Sequence, residues 1–380
     1  MHFLHRSTPE DADRSGLAWA EFPADLHTPV RLFLALRGAG HRACLLESAE
    51  GPERLARYSF LGVDPIGSFR AAHDGAVFEG QDGREEFDGD GLSALRKLAE
   101  RYHQPAPPRG LPPFCGGWVG GFTYEWAGVL EPSTGMPRTT LAENPYARFH
   151  LFETVVACDH ATQKLILITA CRAGAAGHEQ AMQTLDKLAE TLGGEPAELP
   201  AFRLLDEEPR PSMSREQYEA GVESLQGAIR QGEIFQAVLA QRFDQRFEGD
   251  PFTLYRVLRL ANPAPHMFFY EFDDLTLVGS SPERLVSVQD GVAQTRPIAG
   301  TRPRHEDPEE DARLGAELCG DLKERAEHDM LVDLGRNDLG RVARVGTVAV
   351  KEHAALEKFA RVQHLVSRVE CKLAGGQDAL

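Results

Sequence analysis

Along the first part of the chain, apolar residues fall in short runs broken by Gly, Asp and Pro, the pattern of half-buried and buried strands. These runs predict strands over Arg42 to Glu47, Tyr58 to Val63, Ala76 to Phe78, Trp118 to Tyr124, Ala147 to Ala157 and Lys164 to Cys171. Helical spacing of apolar positions occurs at Gly91 to Tyr102 and His178 to Leu192. The pattern then fails between Leu192 and Ser214, where Gly193, Gly194, Pro196, Pro200, Pro209 and Pro211 stand among acidic residues. Such a stretch sustains neither a helix interior nor a central strand. It divides the chain into a β-rich region (1–192), a linker (193–214) and a second region (215–380).

The second region opens with Ser214 and Gln217 spaced as a capping box. Tyr218, Val222, Leu225 and Ile229 then repeat at helical spacing up to Gly232. A strand is predicted over Ile234 to Phe243, and a helix from Asp250-Pro251 that ends before Asn262-Pro263. Four strands follow, Met267 to Phe272, Leu275 to Gly279, Arg284 to Val288 and Val292 to Ile298, with turns at Asp273-Asp274 and Asp290-Gly291. Asp307-Pro308 begins a helical stretch that runs with one break to Leu334, and Asp333 to Asp338 reads as a helix stop and a turn. Strands followed by helices make an α+β pattern, not regular βαβ alternation.

Composition narrows the function. The chain has 380 residues, with 41 Lys and Arg against 58 Asp and Glu and a net charge of −17. A field of that sign argues against nucleic acid and anionic membrane surfaces as partners. Met1 to Arg14 lacks an apolar signal segment and no run reaches the ~18 residues of a membrane span, so a cytoplasmic location is expected. Six cysteines at irregular spacing, with no C-x-x-C, predict buried or incidental thiols and neither a disulfide framework nor a zinc site.

Three clusters carry candidate chemistry. Gly116-Gly117-Trp118-Val119-Gly120-Gly121 lacks the order and the Lys of a nucleotide loop, and predicts tight turns and close sheet packing instead. Glu324 and Glu327 lie three residues apart on one helix, able either to hold a hard cation through oxygen or simply to face solvent. Thr295 to Arg304 packs three arginines around Gly300-Thr301. The loop is either a plain basic strand end or a site where backbone N–H groups hold a carboxylate while the arginines attract a dianion.

Taken with these, the segments Leu45-Leu46-Glu47-Ser48, Tyr58-Ser59-Phe60-Leu61-Gly62, Ile234 to Leu239, Asn262 to Phe268, Gly279-Ser280-Ser281-Pro282-Glu283, Pro297 to Thr301, Lys323 to Asp338 and Gln363-His364-Leu365-Val366-Ser367 resemble the chorismate-utilising enzymes, from about Ala43 onward and in that family's motif order. The resemblance implies an α+β fold with a two-layer β-sandwich core and helices packed outside, a regulatory first region and a chorismate-binding second region. It implies lyase chemistry with Mg²⁺ held by Glu327 and Glu324. It places His364 as acid/base, Glu283 near the leaving hydroxyl, and Gly300 with Thr301 on a substrate carboxylate. It further implies a separate glutamine amidotransferase subunit as ammonia source, and tryptophan as a feedback ligand between Ser48 and the Pro265, His266 and Met267 segment. His266 stands where the family usually has Tyr, so a tryptophan affinity that varies near neutral pH is expected. Family chains continue past a position equivalent to Leu380 into a second acidic cluster, and the 380 residues alone are expected to be inactive.

Two positions separate branches of the family. The water-adding isochorismate and salicylate synthases carry Lys where Gln236 stands, and a Gln amide is no base at neutral pH. The aminodeoxychorismate synthases of folate biosynthesis usually carry Lys where Ala299 stands. Both positions favour the anthranilate-forming branch, which makes Gln236 a substrate-side residue. The alternatives are the aminodeoxychorismate branch and a non-catalytic regulatory relative.

Overall fold

A computed structural model describes residues 3–9, 13–49, 57–89, 91–103, 107–359 and 361–380. Parts of the Met1 to Arg14 stretch lie outside them. The chain divides into two compact units, one formed by Met1–Ala197 with Tyr255–Leu380 and the other by Glu198–Leu254.

In the larger unit, apolar alternation builds an antiparallel sheet of eight strands in the order His5–Ser7, Gly16–Pro23, Lys164–Cys171, Thr154–Asp159, Tyr58–Val63, Ala43–Glu47, His266–Glu271 and Thr276–Ser281. Strands far apart in sequence are therefore neighbours, with Met267 opposite Glu47 and Phe269 opposite Leu45. A second sheet has the order Gly83–Phe87, Gly75–Gly80, Gly67–Ala72, Ala147–Phe152 and Gly117–Phe122. The run Ala147 to Ala157, expected as one strand, is two. Ala147–Phe152 and Thr154–Asp159 belong to different sheets, and the chain changes layer at Glu153. The layers meet where Cys44 and Tyr270 pack on Phe152 and Val119. Gly62 permits this closeness, since a Cβ there would come within 2.9 Å of the Phe152 ring. Helices Pro29–Gly38 and Ala175–Gly193 pack against strands of the eight-stranded sheet.

Glu47 is one of the polar groups buried in this layer. The Glu47 carboxylate, 3% exposed, accepts from Tyr255 Oη at 2.8 Å and from the Arg259 guanidinium at 2.7 and 2.8 Å. Five of the six cysteines are buried and all six are free thiols, as their spacing predicted.

A third antiparallel sheet holds Ser287–Gln289, Val292–Thr295, Val362–Lys372 and Ile298–Pro303 in order, with Ala349–Lys358 also paired to Val362–Lys372. Helices Pro308–Gly320 and Leu322–Val342 lie against it. The predicted break between them is Asp321, whose side chain accepts from the Lys323 and Glu324 amides and caps the second helix. Asp333 to Asp338 forms no turn. The helix continues to Val342 through Gly335, where a Cβ would meet Thr295 Cγ2 at 2.9 Å, so this glycine marks close helix–sheet packing and not a stop.

The smaller unit contains helix Arg215–Gln231, with both arms of the predicted capping box formed and Gly232 left-handed at its end. It also holds two short pairings, Arg203–Leu204 with Phe247–Glu248 and Arg210–Pro211 with Phe243–Asp244. The strand expected over Ile234 to Phe243 is absent apart from its last residue. Within this unit no described strand is paired with residues 234–242, and Phe235 and Val238 are exposed. A strand without a neighbour has no ladder for its N–H and C=O groups, so apolar content alone does not make one.

Candidate active site

The site is built around an interruption in the third sheet. Ile298–Pro303 pairs with Val362–Lys372, but the register shifts between Ala299 and Thr301, leaving Gly300 in a bulge at φ 71°. Any Cβ at this left-handed position is strained. It would also come within 2.9 Å of Leu318 Cδ1 and 3.2 Å of Glu324 Oε2. The sequence places Gly here, and the helix carrying the two glutamates closes onto the bulge.

Thr301 is the cross-strand partner of His364. His364 Nδ1 lies 3.0 Å from the Gly300 carbonyl oxygen and 3.1 Å from Thr301 Oγ1. A carbonyl oxygen only accepts, so Nδ1 carries the proton of the neutral ring and Nε2 keeps its lone pair. The bulge thus fixes a tautomer with a free basic nitrogen. Glu283 accepts from the Ile298 amide at 3.2 Å. Partial burial of its carboxyl raises the pKa, against the pull of that amide and of His364. The result is a carboxyl that keeps its proton to higher pH than usual, beside a base.

His364 also borders a cavity of about 290 Å³ walled by Asn262, Pro263, Ala264, Pro265, Pro282, Phe359, Arg361 and Val362. Phe359 and Arg361 were not singled out by sequence reasoning, because they sit beside a motif and have no chemistry that their spacing reveals. The same turn reaches the end of the Ala43–Glu47 strand, since the Ala49 amide donates to the Ala264 carbonyl at 3.2 Å. Ser48 and the Pro265, His266 and Met267 segment therefore lie side by side, and Pro265 also belongs to the wall that His364 borders. Burial, followed by the Arg284 and Arg296 charges, lowers the pKa of His266.

Glu324 lies near the start of its helix, with its carboxylate 3.6 Å from the Arg302 guanidinium, and Glu327 is exposed one turn further on. All-oxygen donors of this kind fit Mg²⁺, which takes one or two carboxylates and keeps several waters. Among the described residues, no group of three or more His, Cys, Asp or Glu converges on one point. The three arginines of the Thr295 to Arg304 loop do not stand free to attract a dianion. Arg296 pairs with Glu357, Arg302 with Glu317 and Asp321, and Arg304 with Asp311. In an acidic chain, each arginine has carboxylates of its own within reach. Gln236 belongs to the smaller unit, exposed in its stretch without regular structure. No helix among the described residues is long and apolar enough to cross a membrane.

Comparison with known proteins agrees with the geometry. Residues 41–380 match the family of chorismate binding enzymes. Anthranilate synthase component 1 of Aquifex aeolicus is 37% identical over 375 residues, covering 95% of this chain and 74% of that protein. The protein of the same name from Pseudomonas aeruginosa is 38% identical over 368 residues, covering 94% of this chain and 74% of its own length. Among solved structures, anthranilate synthase component I from Streptococcus pneumoniae superposes with a TM-score of 0.71 at 32% identity, covering 85% of this chain and 71% of that one. The menaquinone-specific isochorismate synthase of Escherichia coli shares the fold at 17% identity, with a TM-score of 0.65 and coverage of 98% and 73%. Motif order, the bulged site and these relatives together show that the chain belongs to the chorismate binding enzyme family.

Proposed function

We propose that this chain is the large subunit of an anthranilate synthase, a lyase that converts chorismate and ammonia to anthranilate and pyruvate for tryptophan biosynthesis. The observation that carries this reading is 37% identity to an anthranilate synthase component 1 along 95% of the chain. The absence of Lys at 236 and 299 supports it over the water-adding and aminodeoxychorismate branches. A "component 1" implies a second component, and a glutamine amidotransferase subunit is the ammonia source in this reading. The protein is assigned to the cytoplasm.

The chemistry needs a proton for the departing C4 hydroxyl as ammonia adds at C2, then removal of the C2 proton as pyruvate leaves. Glu283, whose carboxyl has a raised pKa, supplies the first. His364, with Nδ1–H tied to the Gly300 carbonyl, offers Nε2 for the second. Gly300 and Thr301 contact a substrate carboxylate, and the Gln236 amide provides no base. Glu324 and Glu327 are the residues that would hold Mg²⁺, which when bound neutralises carboxylate charge on the substrate.

The test is ammonia-dependent turnover of chorismate, with products identified by fluorescence and mass. Anthranilate and pyruvate are expected. Accumulation of 4-amino-4-deoxychorismate or of isochorismate would move the protein to another branch, and absence of turnover with a folded full-length chain would make it a non-catalytic relative.

A further inference from the structure

The strand that carries His364 has two faces. Along Val362–Lys372, Leu365, Val369 and Cys371 are buried at alternate positions, and Val369 and Cys371 pack on Val332 and Leu339 of helix Leu322–Val342. Ser367 shares this helix-side face, while His364 has the opposite parity and points the other way. The glutamates and His364 are thus carried by two different elements, and the chemistry requires that these keep a fixed relation.

Packing between Val332, Leu339, Val369 and Cys371 holds the helix on the sheet with little directionality, because the hydrophobic effect is not directional and the one polar contact among them is the long, weak Cys371 Sγ–H to Leu339 carbonyl contact at 3.8 Å. A directional contact lies beside it. His328 and Ser367 are both 0% exposed, and His328 Nε2 lies 2.6 Å from Ser367 Oγ. The same Oγ accepts from the Ala354 amide at 2.8 Å. Ala354 sits at φ 47°, where the pairing of Ala349–Lys358 with Val362–Lys372 shifts register between Glu352 and Ala355. The hydroxyl keeps a second lone pair and its own proton, so the contact with Nε2 is a hydrogen bond in either tautomer of His328. Ser367 is therefore held by a second strand before it reaches the helix.

We propose that the His328–Ser367 hydrogen bond pins the glutamate-bearing helix at one height along the His364 strand, so that both are positioning residues for the reaction. The proposal rests on the roles given above to Glu324, Glu327 and His364. His328 follows Glu327 directly and lies one turn after Glu324, while Ser367 lies three residues after His364. A slip of the helix by one residue moves both carboxylates by about 1.5 Å. Displacement of that order costs roughly 10²-fold in rate where groups must be aligned.

The test compares the full chain with Glu327→Gln, His328→Leu, His328→Gln, Ser367→Ala and Ser367→Thr. It uses Mg²⁺ calorimetry, the Mg²⁺ dependence of turnover and thermal unfolding. Gln keeps a hydrogen-bonding amide at 328 and Thr keeps a hydroxyl at 367. His328→Leu and Ser367→Ala should weaken Mg²⁺ binding about 10- to 100-fold, the usual effect of losing an outer partner of a metal site, with Gln and Thr restoring most of it. If His328→Leu does not fold, the Ser367→Ala and Ser367→Thr pair decides. Variants that lower the melting temperature but bind Mg²⁺ like wild type, while Glu327→Gln binds it poorly, overturn the pin and leave the metal reading standing. Unchanged Mg²⁺ binding in Glu327→Gln overturns the metal reading itself, and the pin with it.

Discussion

His364 and Gly300 meet across a bulged strand pair, with the imidazole Nδ1 3.0 Å from the glycine carbonyl oxygen. The contact decides which nitrogen is basic, because only an N–H can face a carbonyl. His364→Gln keeps a side chain that hydrogen-bonds and loses the titratable ring. We expect kcat for ammonia-dependent anthranilate formation to fall by about 10²- to 10⁴-fold with a far smaller change in KM for chorismate. A kcat within a few-fold of wild type would remove His364 from the proton transfers.

Glu283 gives a pH test with a definite sign. Burial raises its pKa, so the carboxyl stays protonated to higher pH than an ordinary glutamate. A general acid works only while protonated, so activity should decline as pH rises through the raised value. Glu283→Gln should lower kcat and remove that limb of the kcat profile. An unaltered limb in the Gln variant would assign it to another group.

Much of the fold was legible because its signals are local. Tyr58–Val63 and Lys164–Cys171 have the predicted bounds, and the Ser214 capping box forms with both arms. What escaped depends on partners distant in the chain. Ala147 to Ala157 is one apolar run, and only the presence of two sheets tells where it divides. Gly335 looks like a stop until Thr295 is seen against it. The arginines at 296, 302 and 304 look like an anion site until Glu357, Glu317, Asp321 and Asp311 are brought to them by the fold. For the site, the bulge glycine and His364 could be named in advance, whereas the carbonyl that fixes the tautomer could not.

Glu47 is a structural case with an expected energy. Its carboxylate is buried and takes two hydrogen bonds from Arg259 and one from Tyr255. Removing one member of such a pair leaves the other charge without its partner, at a cost of 3 to 5 kcal/mol when both are buried. Arg259 is about a third exposed, which screens part of this. Glu47→Gln should therefore destabilise the protein by roughly 2 to 3 kcal/mol in urea unfolding. A midpoint unchanged at equal slope would show that the network carries no net stability.

Tryptophan binding is the last and most specific expectation. Ser48 follows the Ala43–Glu47 strand, and Met267 pairs with Glu47, so a ligand between Ser48 and the Pro265, His266 and Met267 segment would touch two neighbouring strand ends. The Ala49 to Ala264 hydrogen bond continues from there to the turn that walls the His364 cavity, which gives a bound amino acid a short path to the active site. His266 alters the pH dependence expected from its sequence position. Burial and the Arg284 and Arg296 charges push its pKa below the ordinary value, so the ring is already neutral at neutral pH and gains charge only in acid. Calorimetry should find tryptophan affinity flat above about pH 7 and changing only below the ordinary histidine range. Ser48→Arg should abolish binding by filling the space and adding a charge. Equal binding by Ser48→Arg would refute the site, and an affinity that changes about threefold between about pH 6 and 7 would show that His266 titrates as an exposed histidine does.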